Sequence, residues 1–363
     1  MRTILIFLFA SLCCLTIPTS GATPFYKSHL DHNDGLGSNY IRSIGQDGHG
    51  HVWVVTGSGL SRFEGTGFMS FNTENSGLGS NELNCMVADP TDPDKVWIGS
   101  RHNGLFIYDY NTGEISTFKG ELYTPDVPSL SVSSDNKIWI THYHLPPEKL
   151  DPSTGKTERL FKTRPENLPL PIWCLKEDNS GDFLYIGHEN GGFTTVDLKT
   201  LDFVNYRHIP GDGSSLCGNT IYSIFVDPYN LVWIGTENGV SVFDPNTREF
   251  FSYIHDSSPQ SILPGAVRSI HMMKNGEIWL ATAQGGISIV SDNRHIGGKI
   301  LFTNLTPSLI GNLNEKLYSS SPYVIHEDSY GNIWIGYQSD GIDVVGYSSP
   351  IIRQVSAFAQ SDT

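Results

Sequence analysis

An all-β fold is predicted, a seven-bladed β-propeller of four-stranded antiparallel blades closed by the N-terminal strand, and three observations predict it. Seven segments, beginning at Tyr40, Leu83, Leu130, Ile172, Ile221, Val267 and Tyr323, share one layout: an apolar strand, an acidic or glycine-containing turn, an aromatic-centred strand, a glycine turn and further strands. One aromatic per segment holds a common register, as Trp53, Trp97, Trp139, Tyr185, Trp233, Trp279 and Trp334. Their spacings of 44, 42, 46, 48, 46 and 55 residues give each copy the room of a four-stranded blade and its loops. Runs such as Val52-Trp53-Val54-Val55 and Ile333-Trp334-Ile335 are β-rich and end in Gly or Asn turns. No sustained 3.6-residue apolar period competes with them, which excludes a helical solenoid.

The first 22 residues read as an export signal rather than structure. Arg2 supplies the positive start, Ile4 to Ile17 is apolar, and Ser20-Gly21-Ala22 offers small residues for cleavage. The apolar run is shorter than the roughly 20 residues of a membrane helix. Cys13 and Cys14 lack the small residue expected just before a lipidated cysteine, so no lipid anchor is expected. The propeller is expected over 23–349 in an exported, periplasmic protein. Residues 350–363 form a tail whose Pro350-Ile351-Ile352 resembles the opening of a second propeller.

Beyond the signal, Cys85, Cys174 and Cys217 form no disulfide framework and no zinc-ligand spacing. Cys85 and Cys174 fall in strand patterns and read as small buried hydrophobes, whereas Cys217 lies in a loop and reads as the one reactive thiol. The formal net charge of −15 repels polyphosphates and excludes a nucleic-acid partner. No cofactor or metal is called for.

Each part of the repeat has a physical role. Asp47-Gly48, Asn275-Gly276 and Gly331-Asn332 supply positive φ to the turn between the first two strands. The aromatic that follows buries on the order of 200 Å² and wedges one blade against the next. The glycine two residues later (Gly99, Gly187, Gly235, Gly336) is expected to leave space for that ring, with Thr141 and Ala281 in its place marking blades that pack differently. The last copy supplies only three strands, ending near Val345, so an open edge is avoided if Phe25 to Leu30 pairs with it as a latch. Ile351 to Phe358 is the alternative closing strand.

Gly35-Leu36-Gly37-Ser38-Asn39, Gly77-Leu78-Gly79-Ser80-Asn81 and Trp233-Ile234-Gly235-Thr236-Glu237-Asn238-Gly239-Val240 closely resemble the two-component regulator propeller repeat, and the resemblance covers nearly all of the chain after the signal. It implies the periplasmic sensor portion of a hybrid two-component regulator of the Bacteroidetes type, which detects oligosaccharides. It further implies a second propeller or sensor domain as partner, and a membrane segment and kinase in parts that this sequence does not include. A homodimer is a further partner state the sequence leaves open.

Under the usual propeller wiring, the loops between second and third strands share one face with those entering each first strand. Arg101-His102-Asn103, His142-Tyr143-His144, His188-Glu189-Asn190 and Glu237 on that face can hydrogen-bond to hydroxyls or stack on a sugar. The competing reading is that propeller loops are polar because they are solvated. A second column sits five residues before the turn position, which is an acid in every copy but the sixth: Arg42, Asn84, Leu130, Trp173, Tyr222, Arg268 and Tyr323. These large side chains read first as packing, since the resembled repeat favours bulk there. Arg42, Trp173, Tyr222, Arg268 and Tyr323 are the ligand candidates if the column instead lines a funnel.

Catalysis by a propeller lyase or glycosidase would need paired carboxylates or a metal-held histidine. Glu189 and Glu237 sit at equivalent loops of adjacent blades, but at positions where the repeat carries variable polar residues. His49-x-His51 and His142-x-His144 lack a third ligand at useful spacing. The sequence therefore favours a non-catalytic oligosaccharide sensor over a protein-interaction scaffold, and either over an enzyme.

Overall fold

The computed structural model describes residues 26–290, 300–307 and 316–346. The expected export signal at 1–22 and the tail at 350–363, with the alternative closing strand predicted there, lie outside them. The described residues form seven four-stranded antiparallel sheets and no α-helix. Blade 1 runs from the innermost strand outward as Ile41–Gln46, Val52–Thr56, Gly59–Phe63 and Phe68–Phe71, and blades 2 to 6 repeat this order. Blade 7 contributes Pro322–Glu327, Ile333–Tyr337 and Ile342–Gly346, and its outermost strand is Tyr26–Leu30. That strand pairs antiparallel, Lys27 opposite Val345 and Leu30 opposite Ile342, so the predicted latch closes the ring. The innermost strands of blades 1 and 7 are also in contact.

The register aromatics are the inter-blade wedges. All seven are at most 5% exposed, and each belongs to a core cluster shared with the following blade. Trp53 packs with Ile98, Phe106 and Tyr108 of blade 2, Trp233 with Val267, Ile278 and Leu280 of blade 6, and Trp334 with Val52, Val54 and Phe63 of blade 1. Burying an indole requires a partner for its N–H, and here the turn acid supplies one. Trp97 donates to Asp89 at 2.7 Å, Trp233 to Asp227 at 3.1 Å and Trp334 to Asp328 at 2.9 Å. The same aspartates accept backbone N–H groups of their own turns, for example Tyr229 and Leu231 on Asp227. Where the turn acid is replaced, a glutamate takes over. Trp139, preceded by Ser133, donates to Glu177 of blade 4, and Trp279, preceded by Met273, donates to Glu277.

Two sequence expectations are corrected by this geometry. In the first turn of blade 1 the positive φ falls on Gly50 (φ 89°), not Gly48, because the Gly50 N–H closes a turn onto the Asp47 carbonyl three residues back. Gly276 and Gly331 occupy the same place in their blades. Second, the glycine after the aromatic does not make room for the ring. A Cβ on Gly235 would lie 2.4 Å from the Val267 carbonyl oxygen, and one on Gly336 would lie 2.6 Å from Ile41 Cγ2, so the space is taken by the next blade's innermost strand. Gly235→Ala is expected to cost about 1–3 kcal/mol through overpacking against that backbone, read as a lower urea midpoint. An unchanged midpoint would show that the blades can slide apart at no cost.

Thr141 does mark a different blade. Blade 3 has inner strands of three residues each, Leu130–Val132 and Ile138–Ile140, and Thr141 bonds the Ser129 carbonyl instead of continuing the ladder. Blade 6, with Ala281, keeps the ordinary pairing.

Candidate functional site

The site arises from a feature of the innermost strands that the sequence did not reveal. In six blades the register with the second strand skips one residue, so Ile41 pairs with Thr56 and Ser43 with Val55 while Arg42 bulges out. The skipped residues of the other five are Asn84, Trp173, Tyr222, Arg268 and Tyr323. A β-bulge re-aims the side chain it carries, and these six point to the propeller axis. Blade 3 has no bulge, and Leu130 there is 9% exposed within the core.

The bulged residues line one central funnel of about 410 Å³ to which all seven blades contribute. Its wall also includes Tyr40, Ser43, Ser129, Ser269, Arg101 and Tyr143. The column read first as packing is therefore a lining. Trp173 lies 5.1 Å from Tyr222 by ring centroids, and the Arg268 guanidinium sits 3.7 Å from the Tyr222 centroid and 5.8 Å from that of Tyr323. Arg42 lies 5.3 Å from the Tyr40 ring and donates to the Leu83 carbonyl at 2.9 Å and to Asn84 Oδ1 at 3.0 Å. Burial raises the Tyr323 phenol above its ordinary value, with Arg268 and Arg42 opposing the shift. Burial likewise raises Tyr143, opposed by Arg101 and Arg42.

The loops after the second strand and those entering the first strand share the funnel's mouth. The Gly57, Arg101 and Glu189 N–H groups donate to the carbonyls of Tyr40, Glu82 and Pro171. Of the loop candidates only Arg101 and Tyr143 reach the lining. His142 and His188 are fully buried: His142 bridges the Asp126 carbonyl and Glu148, and His188 contacts the Thr194 hydroxyl at 2.8 Å. Glu237 accepts the Asn219 and Thr220 N–H groups, and Asn190 accepts the Thr220 hydroxyl. His102 pairs with Asp126 on the surface, while Asn103, His144 and Glu189 stand off the funnel wall. His142, His188, Glu237, Asn190 and His102 thus answer local hydrogen-bonding needs. The residues missed were Tyr40 and the serines, whose small or polar character gave no signal at sequence level.

Cys217 is also corrected. It is 6% exposed, lies 3.2 Å from both Thr236 Oγ1 and Ser241 Oγ, and burial raises its thiol, so it is not a reactive surface group. His49 contacts Asp94 at 2.7 Å and His51 contacts the Tyr110 hydroxyl at 2.8 Å, each serving the turn around Asp47.

Comparison with known proteins agrees with the repeat. The model of the two-component regulator propeller matches residues 35–58 and 215–238. A curated relative, Histidine kinase P4 of Formosa agariphila, is 29% identical over 200 residues, 53% of this chain and 14% of the relative. A solved extracellular domain assigned to the hybrid two-component system BT3049 of B. thetaiotaomicron superposes with a TM-score of 0.75 at 29% identity, over 90% of this chain and 42% of that one. The virginiamycin B lyase of Staphylococcus aureus shares the fold at a TM-score of 0.62 and 14% identity, over 89% of this chain and 99% of that one. The chain thus spans well under half the length of the two-component relatives it matches. The chain is thus a seven-bladed propeller that carries the two-component regulator propeller repeat at 35–58 and 215–238 and is similar to the extracellular domain of a two-component system.

Proposed function

We propose that this chain is the exported, non-catalytic ligand-sensing propeller of a hybrid two-component regulator, and that its ligand is an oligosaccharide held in the central funnel. The observation that carries this reading is the lining itself: a wall of Trp173, Tyr222, Tyr323, Tyr143 and Tyr40 interleaved with arginine, drawn from all seven blades onto one axis. Aromatic faces stack on sugar rings, and convergent polar groups fix orientation. The two-component relatives support a sensor. The funnel wall carries no aspartate or glutamate for the paired acid–base chemistry of a glycosidase.

Titration calorimetry against a panel of oligosaccharides, with product analysis of each mixture, tests the reading. Saturable binding without turnover is expected. Reaction products would make the chain an enzyme, and silence toward the whole panel would leave a protein-interaction scaffold. Trp173→Ala is expected to weaken the binding about tenfold, equivalent to about 1.4 kcal/mol, with a smaller change in melting temperature than at the fully buried wedges because the ring is only partly buried.

A further inference from the structure

The protein is acidic overall, with 38 Asp and Glu against 23 Lys and Arg, yet the funnel has the opposite character. Its wall holds Arg42, Arg101 and Arg268 and not one carboxylate. Among the described residues none of the three guanidiniums forms an ion pair, whereas Arg62 nearby in sequence is paired with Glu64. Arg42 spends one nitrogen on the Leu83 carbonyl and Asn84. Arg268 lies against the Tyr222 ring, an arrangement that fixes the guanidinium while leaving its N–H edge for an oxyanion. Three like charges around one cavity repel one another. A core that needed only bulk at this column would be more stable with Leu, as blade 3 has at position 130. Charges that cost stability and face a cavity without counterions are the mark of a binding site for the opposite charge.

Resting on the reading of the funnel as the ligand site, we infer that the ligand is an anionic oligosaccharide, one whose carboxylate or sulfate groups are clamped by Arg42, Arg101 and Arg268 while its rings stack on Trp173 and Tyr222. Arginine binds either oxyanion through two parallel N–H bonds, so the shared chemistry is a planar or tetrahedral oxyanion on a sugar. The aromatic wall is what separates such a ligand from a free inorganic ion.

Titration of the full chain with trigalacturonate, a sulfated galactose oligosaccharide, neutral galactotriose and sodium sulfate tests this. At least one charged oligosaccharide is expected to bind ten times or more tighter than galactotriose, and to weaken as NaCl is raised. Which one binds identifies carboxylate or sulfate. Arg268→Gln is expected to cut that affinity at least tenfold, in line with loss of a charge-assisted bond, while leaving the melting temperature unchanged or higher. A purely structural arginine would instead lower it. If that variant fails to fold, Arg101→Gln at the exposed mouth carries the same comparison. Galactotriose binding as tightly as the charged sugars would overturn the inference and leave the sensor reading standing. Charged-sugar affinity undiminished in both variants, or sulfate ion binding as tightly as any oligosaccharide, would also overturn it. No binding by any probe would remove the funnel as a site altogether.

Discussion

Replacing Trp233 with alanine is expected to destabilise the ring by about 3–5 kcal/mol, the cost of emptying a core site filled by a large aromatic. The indole has no exposed surface and sits between blade 5, at Val240 and Val242, and blade 6, at Val267, Ile278 and Leu280. Rigid strands line both sides, so the hole has little scope to collapse. A second loss accompanies the first, since Asp227 is fully buried and the indole N–H is one of its donors at 3.1 Å. Trp233→Phe separates the two: it keeps most of the wedge and removes the donor, so it should cost about 1–3 kcal/mol. Chemical denaturation of the two variants beside wild type gives both numbers. Equal losses would mean that the hydrogen bond, not the wedge, holds these blades together, and no loss in either would displace the ring from its assigned role.

The wedge was legible in the sequence because its signal is periodic, and the closing strand because seven blades needed one more edge than the last copy supplied. Local chemistry was legible less often. That Asp227 precedes Trp233 by six residues is visible in the chain, but that one carboxylate serves both its own turn and the indole depends on the pairing of the strands. The bulge is a property of register between two strands, and neither strand announces it alone. Arg42 and Arg268 were therefore found as a column, with packing read first and a funnel lining only second. His142 and His188 misled for the converse reason: His142 lies in a loop and His188 ends a strand at the correct face, yet Glu148 and Thr194, six residues further on in each case, draw the imidazoles inward. Gly235 shows the same limit, since the atom that forbids a Cβ there belongs to Val267, on the next blade.

Loss of the Asp343 carboxylate is expected to release the latch. Asp343 lies on the third strand of blade 7 and its side chain is fully buried. It accepts the Tyr337 hydroxyl at 2.6 Å and the Tyr318 N–H at 2.9 Å, and it holds two side chains of the closing strand, His29 at 3.0 Å and Lys27 at 3.3 Å. His29 is in turn stacked on Tyr318 at 3.6 Å. Four groups from three segments thus converge on one anion. Burial alone would raise its pKa, but the bonds from His29 and Tyr337, with Lys27 beside them, more than offset this and hold it below the ordinary carboxylate range. The sign follows from that direction: the group stabilises the fold at pH values above the unfolded carboxylate pKa near 4, and the contribution fades as pH falls through the lower folded value. Removing one partner of a buried pair costs about 3–5 kcal/mol, so Asp343→Ala should be among the most damaging single changes outside the wedges. The damage should begin locally, with amide exchange at 26–30 and 342–346 accelerating before the other blades respond. Wild type should show the same local opening on acidification below about pH 4, and Asp343→Asn should show little further change there. Protection of the closing strand that survives both acid and Asp343→Ala would mean that backbone pairing alone keeps the ring shut.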